Sequence, residues 1–363
     1  MRKSTFENRP SVTLSNDKIE VAILTDGGAF AEILLRDDAG KLNPLWNPTR
    51  MMRELGTPRP AGTGTGHFLC VDGFGPASPE ERAAGLPGHG EAHTVPWEIA
   101  DVKQDRGISV TFKARLPIVQ ENLTRTVRLV PGENVVTVDS ELESLLGFDR
   151  PINWAEHATI GSPFLEPGVT VVDISGTRAK VRNYADRPGA LPRRLPPDVE
   201  FTWPIAPGQD GKGVNLRAAP APPNSQDHTT TLVDTTRKLG WVTALHPARR
   251  LILGYIFRRE EYPWVQSWEN YPSTGKLARG IEFGTQAFDV PRREVVTAGT
   301  LFDTPLFRWL PAKSKISTRF LFFYARTPEG MVAVHDVRLE NGVITVIDKI
   351  SGKRLMLAAS QPL

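Results

Sequence analysis

The run LPGHGEAHTVPWEI, Leu86 to Ile99, sets His89, Glu91 and His93 within five residues, between a Pro-Gly turn and a Pro-Trp segment. Imidazoles and carboxylates are the side chains best suited to taking and giving protons near neutral pH. Two more stand far along the chain: His157 in PINWAEHATIGSPFL and Glu282 in RGIEFGTQAFD. His89 and His93 have the spacing of two metal ligands on a helix, but Gly90 and the preceding Pro-Gly oppose a helix there, so no metal site is expected. No elbow motif surrounds a serine or threonine. GTGTG at Gly62 to Gly66 opens no helix and reads as a turn rather than a phosphate loop. What remains is general acid–base chemistry without metal or cofactor.

Aromatic residues add a second theme. Trp264 and Trp268 lie in YPWVQSWENYPS, and Trp97, Trp154 and Trp309 lie near other polar stretches. Aromatic faces stack on the C–H faces of sugar rings, although most tryptophans in a large protein fill its core. His67, His228, His246 and His335 read as surface or structural groups, Glu269 as a rim residue, and Cys70 as a buried small residue.

The elements that must position these groups are strands. GISVTFKARLP alternates apolar and polar residues, and LTRTVRLVPGENVVTVDSELES reads as a hairpin turning at Pro131-Gly-Glu-Asn. Further strands are expected at VTVVDISG, WVTALHP, RLILGYIFRR, REVVTAGTLFDT and KISTRFLFFYAR, and a last hairpin around Ser351-Gly352. Helix signals are confined to PEERAAG, one turn, and TPEGMVAVHDV, two turns. Many short strands at regular spacing point to an all-β protein, a large antiparallel sandwich. The expected organisation is a single domain over residues 1–363. It carries a proline-rich insertion at about 186–226, either a structured flap or a surface excursion; Asp186 to Gln226 holds nine prolines.

The 44 basic and 41 acidic side chains give a net charge of +3 without like-charge blocks, which speaks against nucleic acid as a partner. No apolar run is long enough to span a membrane. A single cysteine excludes a disulfide framework within the chain. With an N-terminus lacking an apolar signal segment, it fits a cytoplasmic location.

Four segments, in order, resemble the galactose mutarotase-like family of aldose 1-epimerases and hexose-6-phosphate mutarotases. FLCVDGFGP (Phe68 to Pro76) is similar to the family's cysteine–proline–Phe-Gly-Pro segment. LPGHGEAHTVPWEI resembles its His-Gly stretch, NWAEHATIG the strand bearing its catalytic histidine, and EFGTQ (Glu282 to Gln286) its Glu-Pro-Gly-x-Gln. The resemblance spans roughly Lys18 to Arg326. It implies a β-supersandwich with a sugar groove on one sheet, and interconversion of sugar anomers by ring opening. Carried over by position, Glu282 takes the proton of the anomeric hydroxyl, His157 protonates the ring oxygen, and His89 binds the sugar. His93 stands where phosphate-specific members have arginine, so a sugar phosphate is not the implied substrate. Asp72 replaces a family proline and is a candidate hydroxyl ligand. Trp268 and Gln286 complete the expected substrate contacts, with Asp227 and Asp234 as candidates for the family's substrate-binding aspartate.

The expected protein is therefore an aldose 1-epimerase-like isomerase acting on a monosaccharide or short oligosaccharide, as monomer or homodimer. A non-catalytic carbohydrate-binding or sensing protein on the same scaffold is the alternative. A lyase or hydrolase, pairing Glu282 with Glu269 or Asp72, is a third reading.

Overall fold

The computed structural model describes residues 1–57, 64–183 and 189–363. Two large antiparallel sheets face each other, of 14 and 8 strands. The larger begins with a meander of the strands Arg2–Phe6, Arg9–Ser15, Ile19–Leu24 and Phe30–Leu35. It continues through the strands that matter for the site: His67–Val71, Trp154–Gly161, Glu282–Gly284, Ala278–Gly280, Trp264–Tyr271 and Ser225–Leu232. The smaller sheet includes the hairpin Glu121–Leu129 and Val135–Ser144, turning at Pro131-Gly132 as the alternation requires.

A strand buries alternate residues, so each central strand serves both faces of its sheet. In Trp154–Gly161 the side chains of Trp154, Ala158 and Ile160 join the main core between the sheets. Glu156 points the same way and is fully buried. It accepts from Arg125 Nη2 at 2.6 Å and from Trp154 Nε1 at 3.1 Å, and lies 2.9 Å from His67 Nε2. A buried carboxylate this well partnered stays ionised: burial alone would raise its pKa, but Arg125 and His67 bring it down to about 2. Ala155 and His157 take the opposite, outer face, and His157 pairs in register with Phe68. The ionic group under the strand and the imidazole above it are thus consequences of one register.

A separate three-stranded sheet, Asp336–Glu340, Val343–Ile347 and Arg354–Ala358, packs on the outer side of the 8-stranded sheet through a second apolar cluster. It contains the expected C-terminal hairpin. TPEGMVAVHDV makes no helix; it is an irregular approach to the Asp336–Glu340 strand, tied by Asp348, which accepts from Val332 N at 2.9 Å. REVVTAGTLFDT is corrected in the other direction. Arg292–Ala298 is a helix starting after Pro291, with Val295 its buried residue, and the extended part is confined to Thr300–Leu301 and Thr304, which pair across a tight turn. Pro79–Ala83 forms the single expected helical turn, closed by a capping box between Ser78 and Glu81.

The proline-rich stretch is structured where described. Glu200–Thr202, Ile205–Pro207 and Gly213–Asn215 extend the edge of the large sheet, and Leu195, Trp203, Ala206 and Leu216 join the main core. Residues 186–188 of that stretch, and Gly62 and Thr63 of the GTGTG turn, lie outside the described residues.

Candidate active site

On the outer face of the large sheet, a cavity of about 460 Å³ is lined by Trp46, Phe68, His89, His93, His157, His228, Trp268, Glu282 and Asp289. Its volume suits one small ligand. A larger depression, about 590 Å³, lies on the 8-stranded sheet. It contains no imidazole, and its Lys315 is already paired with Glu141 at 2.8 Å, so the chemistry points to the first cavity.

Sheet register builds the floor. Glu282 opposes Gln266 on one neighbouring strand, while the adjacent Phe283 opposes Glu156 on the other and enters the core. The His157 and Glu282 side chains thereby meet, with Nε2 3.5 Å from Oε1. Gly280 leaves the room this needs, because a Cβ there would fall 2.1 Å from Glu282 Oε1. Phe68 stacks on the His157 ring with centroids 4.2 Å apart, and Thr159 Oγ1 lies 3.2 Å from His157 Nδ1. Ring stacking and the Thr159 contact fix the imidazole's plane.

Burial sets the charges. It pushes the Glu282 carboxyl well above the ordinary glutamate value, and the Asp289 charge adds to the effect. It pushes His157 well below the ordinary imidazole value, reinforced by His89. Both shifts favour the neutral forms, a protonated carboxyl beside a neutral imidazole.

The wall comes from the His-Gly loop. His89 has a positive φ of 65°, and Gly90 packs so tightly that a Cβ would lie 2.1 Å from the Val71 carbonyl. Gly75 N–H donates to His89 Nδ1 at 3.3 Å, so Nδ1 carries the lone pair and Nε2 the hydrogen. Burial keeps His89 in this neutral form. His93 is likewise lowered by burial, then by His89, to about 4. Glu91 does not face the cavity; it anchors the loop by accepting from the backbone N–H of Ile118 and Val119, at 3.1 and 2.9 Å. Trp46 and Trp268 meet edge to face at 5.9 Å and form the apolar side.

Five of the residues expected from sequence thus converge: Glu282, His157, His89, His93 and Trp268. Two do not. Asp72 is fully buried, ion-paired with Arg150 and with Arg292 Nη1 at 2.6 Å, and has no path to a sugar. Gln286 is fully buried as a strut: its Nε2 donates to Phe74 O at 3.1 Å, and its backbone carbonyl accepts from Gln266. Asp227 and Glu269 are both tied to Arg194 inside the sheet, and Asp234 caps its own turn by accepting from Thr236 N at 3.0 Å. His228 and Asp289, in contrast, line the cavity, with His228 Nδ1 3.2 Å from Asp289 Oδ1. His228 was legible as the outward partner of Trp268 across two alternating strands. Asp289 lies in a loop and carries no periodic signal. Among the described residues, no three His, Cys, Asp or Glu side chains group as metal ligands, and no helix is long and apolar enough to cross a membrane.

Comparison with solved structures is decisive for the architecture. The Slr1438 protein of Synechocystis sp. PCC 6803 superposes with a TM-score of 0.59 at 13% identity, covering 90% of this chain and 100% of its own. A galactose mutarotase-like protein of Clostridium acetobutylicum does so with 0.58 at 14%, covering 90% and 98%. The chain has the galactose mutarotase-like fold. A galactose mutarotase related enzyme of Lactobacillus acidophilus agrees, with 0.57 at 12% identity, covering 89% and 100%. No protein-family model matches the chain, and no curated protein matches it. At such identities the likeness speaks for the galactose mutarotase-like architecture, and the chemistry must be argued from the cavity itself.

Proposed function

We propose that the protein is an aldose 1-epimerase-like mutarotase, which interconverts the anomers of a free monosaccharide or the reducing end of a short oligosaccharide. The observation that carries this reading is the His157–Glu282 pair, two proton-transfer groups 3.5 Å apart in a single-sugar cavity. Ring opening needs one proton taken from the anomeric hydroxyl and one given to the ring oxygen. Neutral His157 accepts the first as the C1=O bond forms and the C1–O5 bond breaks, and the Glu282 carboxyl supplies the second. The pair is then imidazolium and carboxylate. After rotation about C1–C2, carboxylate takes the O5 proton and imidazolium returns one to O1, closing the ring on its other face. This assignment exchanges the two oxygens relative to the family resemblance, which gives the anomeric hydroxyl to Glu282 and the ring oxygen to His157, because a neutral imidazole is the base and a protonated carboxyl the acid of the resting pair.

His89, with its Nε2 hydrogen, supplies a neutral donor to a sugar oxygen, and the edges of Trp46 and Trp268 offer an apolar surface to ring C–H groups. The test is polarimetry or NMR exchange on freshly dissolved aldoses. Catalysed anomer exchange that disappears in Glu282→Gln supports the proposal. Saturable sugar binding with no acceleration in the intact protein refutes it in favour of a carbohydrate-binding role.

A further inference from the structure

The outer face of the large sheet carries a second hollow beside the first. The strands there are in register: Glu282 opposes Gln266, Gln266 opposes Thr230, and Thr230 opposes Lys180. Residues directly opposite on neighbouring strands point to the same face, so this row leads away from the acid along one side of the sheet. At about 4.8 Å per strand, Lys180 stands roughly 14 Å from Glu282. It lines a cavity of about 330 Å³ whose walls include Arg182, Asp198, Phe288, Val290 and Leu301. That separation exceeds one pyranose and suits two joined by a glycosidic bond.

One ridge separates the two hollows. Phe288, Asp289 and Val290 are consecutive; Asp289 lines the reactive cavity, while its two neighbours line the second. The ridge is held from both sides, since Gln266 Nε2 donates to the Gln286 backbone carbonyl at 2.9 Å and Arg182 Nη2 donates to that of Asp289 at 2.8 Å. The Asp289 side chain is 27% exposed, so the crest is accessible to a ligand that spans it. In the second hollow Phe288, Val290 and Leu301 are only partly buried and form a small apolar surface. Asp198, 2.8 Å from Lys180 and well exposed, and Glu294, exposed on the helix Arg292–Ala298, place carboxylates at its edge. An apolar surface of this size rimmed by acceptors matches a pyranose, whose C–H face is apolar and whose hydroxyls donate around the ring.

We propose that the second hollow is a glycosyl subsite, and that the preferred substrate is a reducing disaccharide. Its anomeric unit occupies the reactive cavity and its second unit rests against Phe288. The reaction rests on the mutarotase reading; the binding does not. No bond is made or broken in the second hollow, so its contribution is a lower KM.

The full chain is assayed by NMR exchange on glucose, galactose and mannose, and on disaccharides that end in each, maltose and cellobiose among them. At least one disaccharide should show a kcat/KM about tenfold above that of the monosaccharide it ends in, the increment that a stacked aromatic contact supplies. Phe288→Ala should return this ratio to about one. Ala298, exposed at the end of its helix, also lines the hollow, and Ala298→Trp fills it from the rim, away from the reactive cavity; the ratio should again fall to about one. Monosaccharides turned over as efficiently as every disaccharide, or a ratio unchanged in Ala298→Trp, would overturn the subsite and leave the mutarotase proposal standing. Absence of exchange with every sugar, together with disaccharide binding by calorimetry that is tighter than monosaccharide binding and weakens in Ala298→Trp, would sink the mutarotase proposal and leave the subsite intact. Absence of both exchange and tighter disaccharide binding would sink both.

Discussion

His157 and Glu282 face each other at 3.5 Å because their two strands pair directly, with Glu156 opposite Phe283, which sets the next outer residues side by side. Neither residue depends on a loop for its position, and both are buried enough to favour their neutral forms.

Glu282→Gln replaces a protonated acid by an amide of the same shape. Anomer exchange should fall by about 10²- to 10⁴-fold, the usual worth of a positioned acid–base group. Stability at neutral pH should stay within about 0.5 kcal/mol, since no charge is removed from the resting pair. Polarimetry and urea titration check the two halves. A loss of several kcal/mol would mean that Glu282 is ionised and structural.

The pH profile of kcat/KM follows from the same pair. Activity should fall on the acid side where His157 gains its proton, below the ordinary imidazole value, and on the basic side where Glu282 loses its own, above the ordinary glutamate value. A broad optimum through neutrality is expected. An acid limb centred at or above about 6.5 would contradict the buried, neutral imidazole.

Stability should drop in mild acid. The folded pKa of His93 is depressed from 6.5 to about 4, so the unfolded chain binds its proton first. The contribution is complete above the unfolded value and is lost as pH falls from about 6.5 to about 4, worth roughly 3 kcal/mol for this residue alone. His67, His89 and His157 are shifted the same way by burial. Glu156, held near 2, keeps its contribution until far lower pH, so the early loss belongs to the histidines. Urea unfolding at successive pH values between about 7.5 and 4.5 measures the slope; a flat profile would show that these rings are solvated.

Gly280→Ala tests the space beside the acid. The new methyl would fall 2.1 Å from Glu282 Oε1 and must displace it. Activity should approach that of Glu282→Gln, with a stability cost of about 1 to 3 kcal/mol. Full activity in this variant would show that the carboxyl position is not critical.

Asp72→Ala should leave sugar affinity of the folded protein unchanged and destabilise it by about 3 kcal/mol, because Arg150 and Arg292 lose a buried partner. Chemical denaturation and sugar titration separate these effects, and a raised KM without instability would restore Asp72 to the site.

The sheet-borne half of the site was readable because strands write their facing into the sequence. NWAEHATIG alternates core and outer residues, so His157 had to leave the core when Trp154, Ala158 and Ile160 entered it. The same logic, applied to SQDHTTTL, would have turned His228 outward with its strand partner Trp268. Asp72 misled because its polarity was taken as an invitation to a ligand, whereas two arginines distant in sequence satisfy it. Asp289 and Trp46 lie on irregular segments, where position follows tertiary packing and no repeat reveals it. Likewise the valines of REVVTAG suit a strand locally, but the cluster with Trp264 and Leu306 draws Val295 in from a helix.

The division of the cavity between strands and loops has an evolutionary meaning. Phe68, His157, His228, Trp268 and Glu282 share their backbone with the protein's interior, so altering their spacing would disturb folding itself. Trp46, His89, His93 and Asp289 hang from connections that can be exchanged without rewiring a sheet. The loop-borne wall of the cavity can therefore change by trading connections, while the strand-borne His157–Glu282 pair can change its spacing only together with the framework.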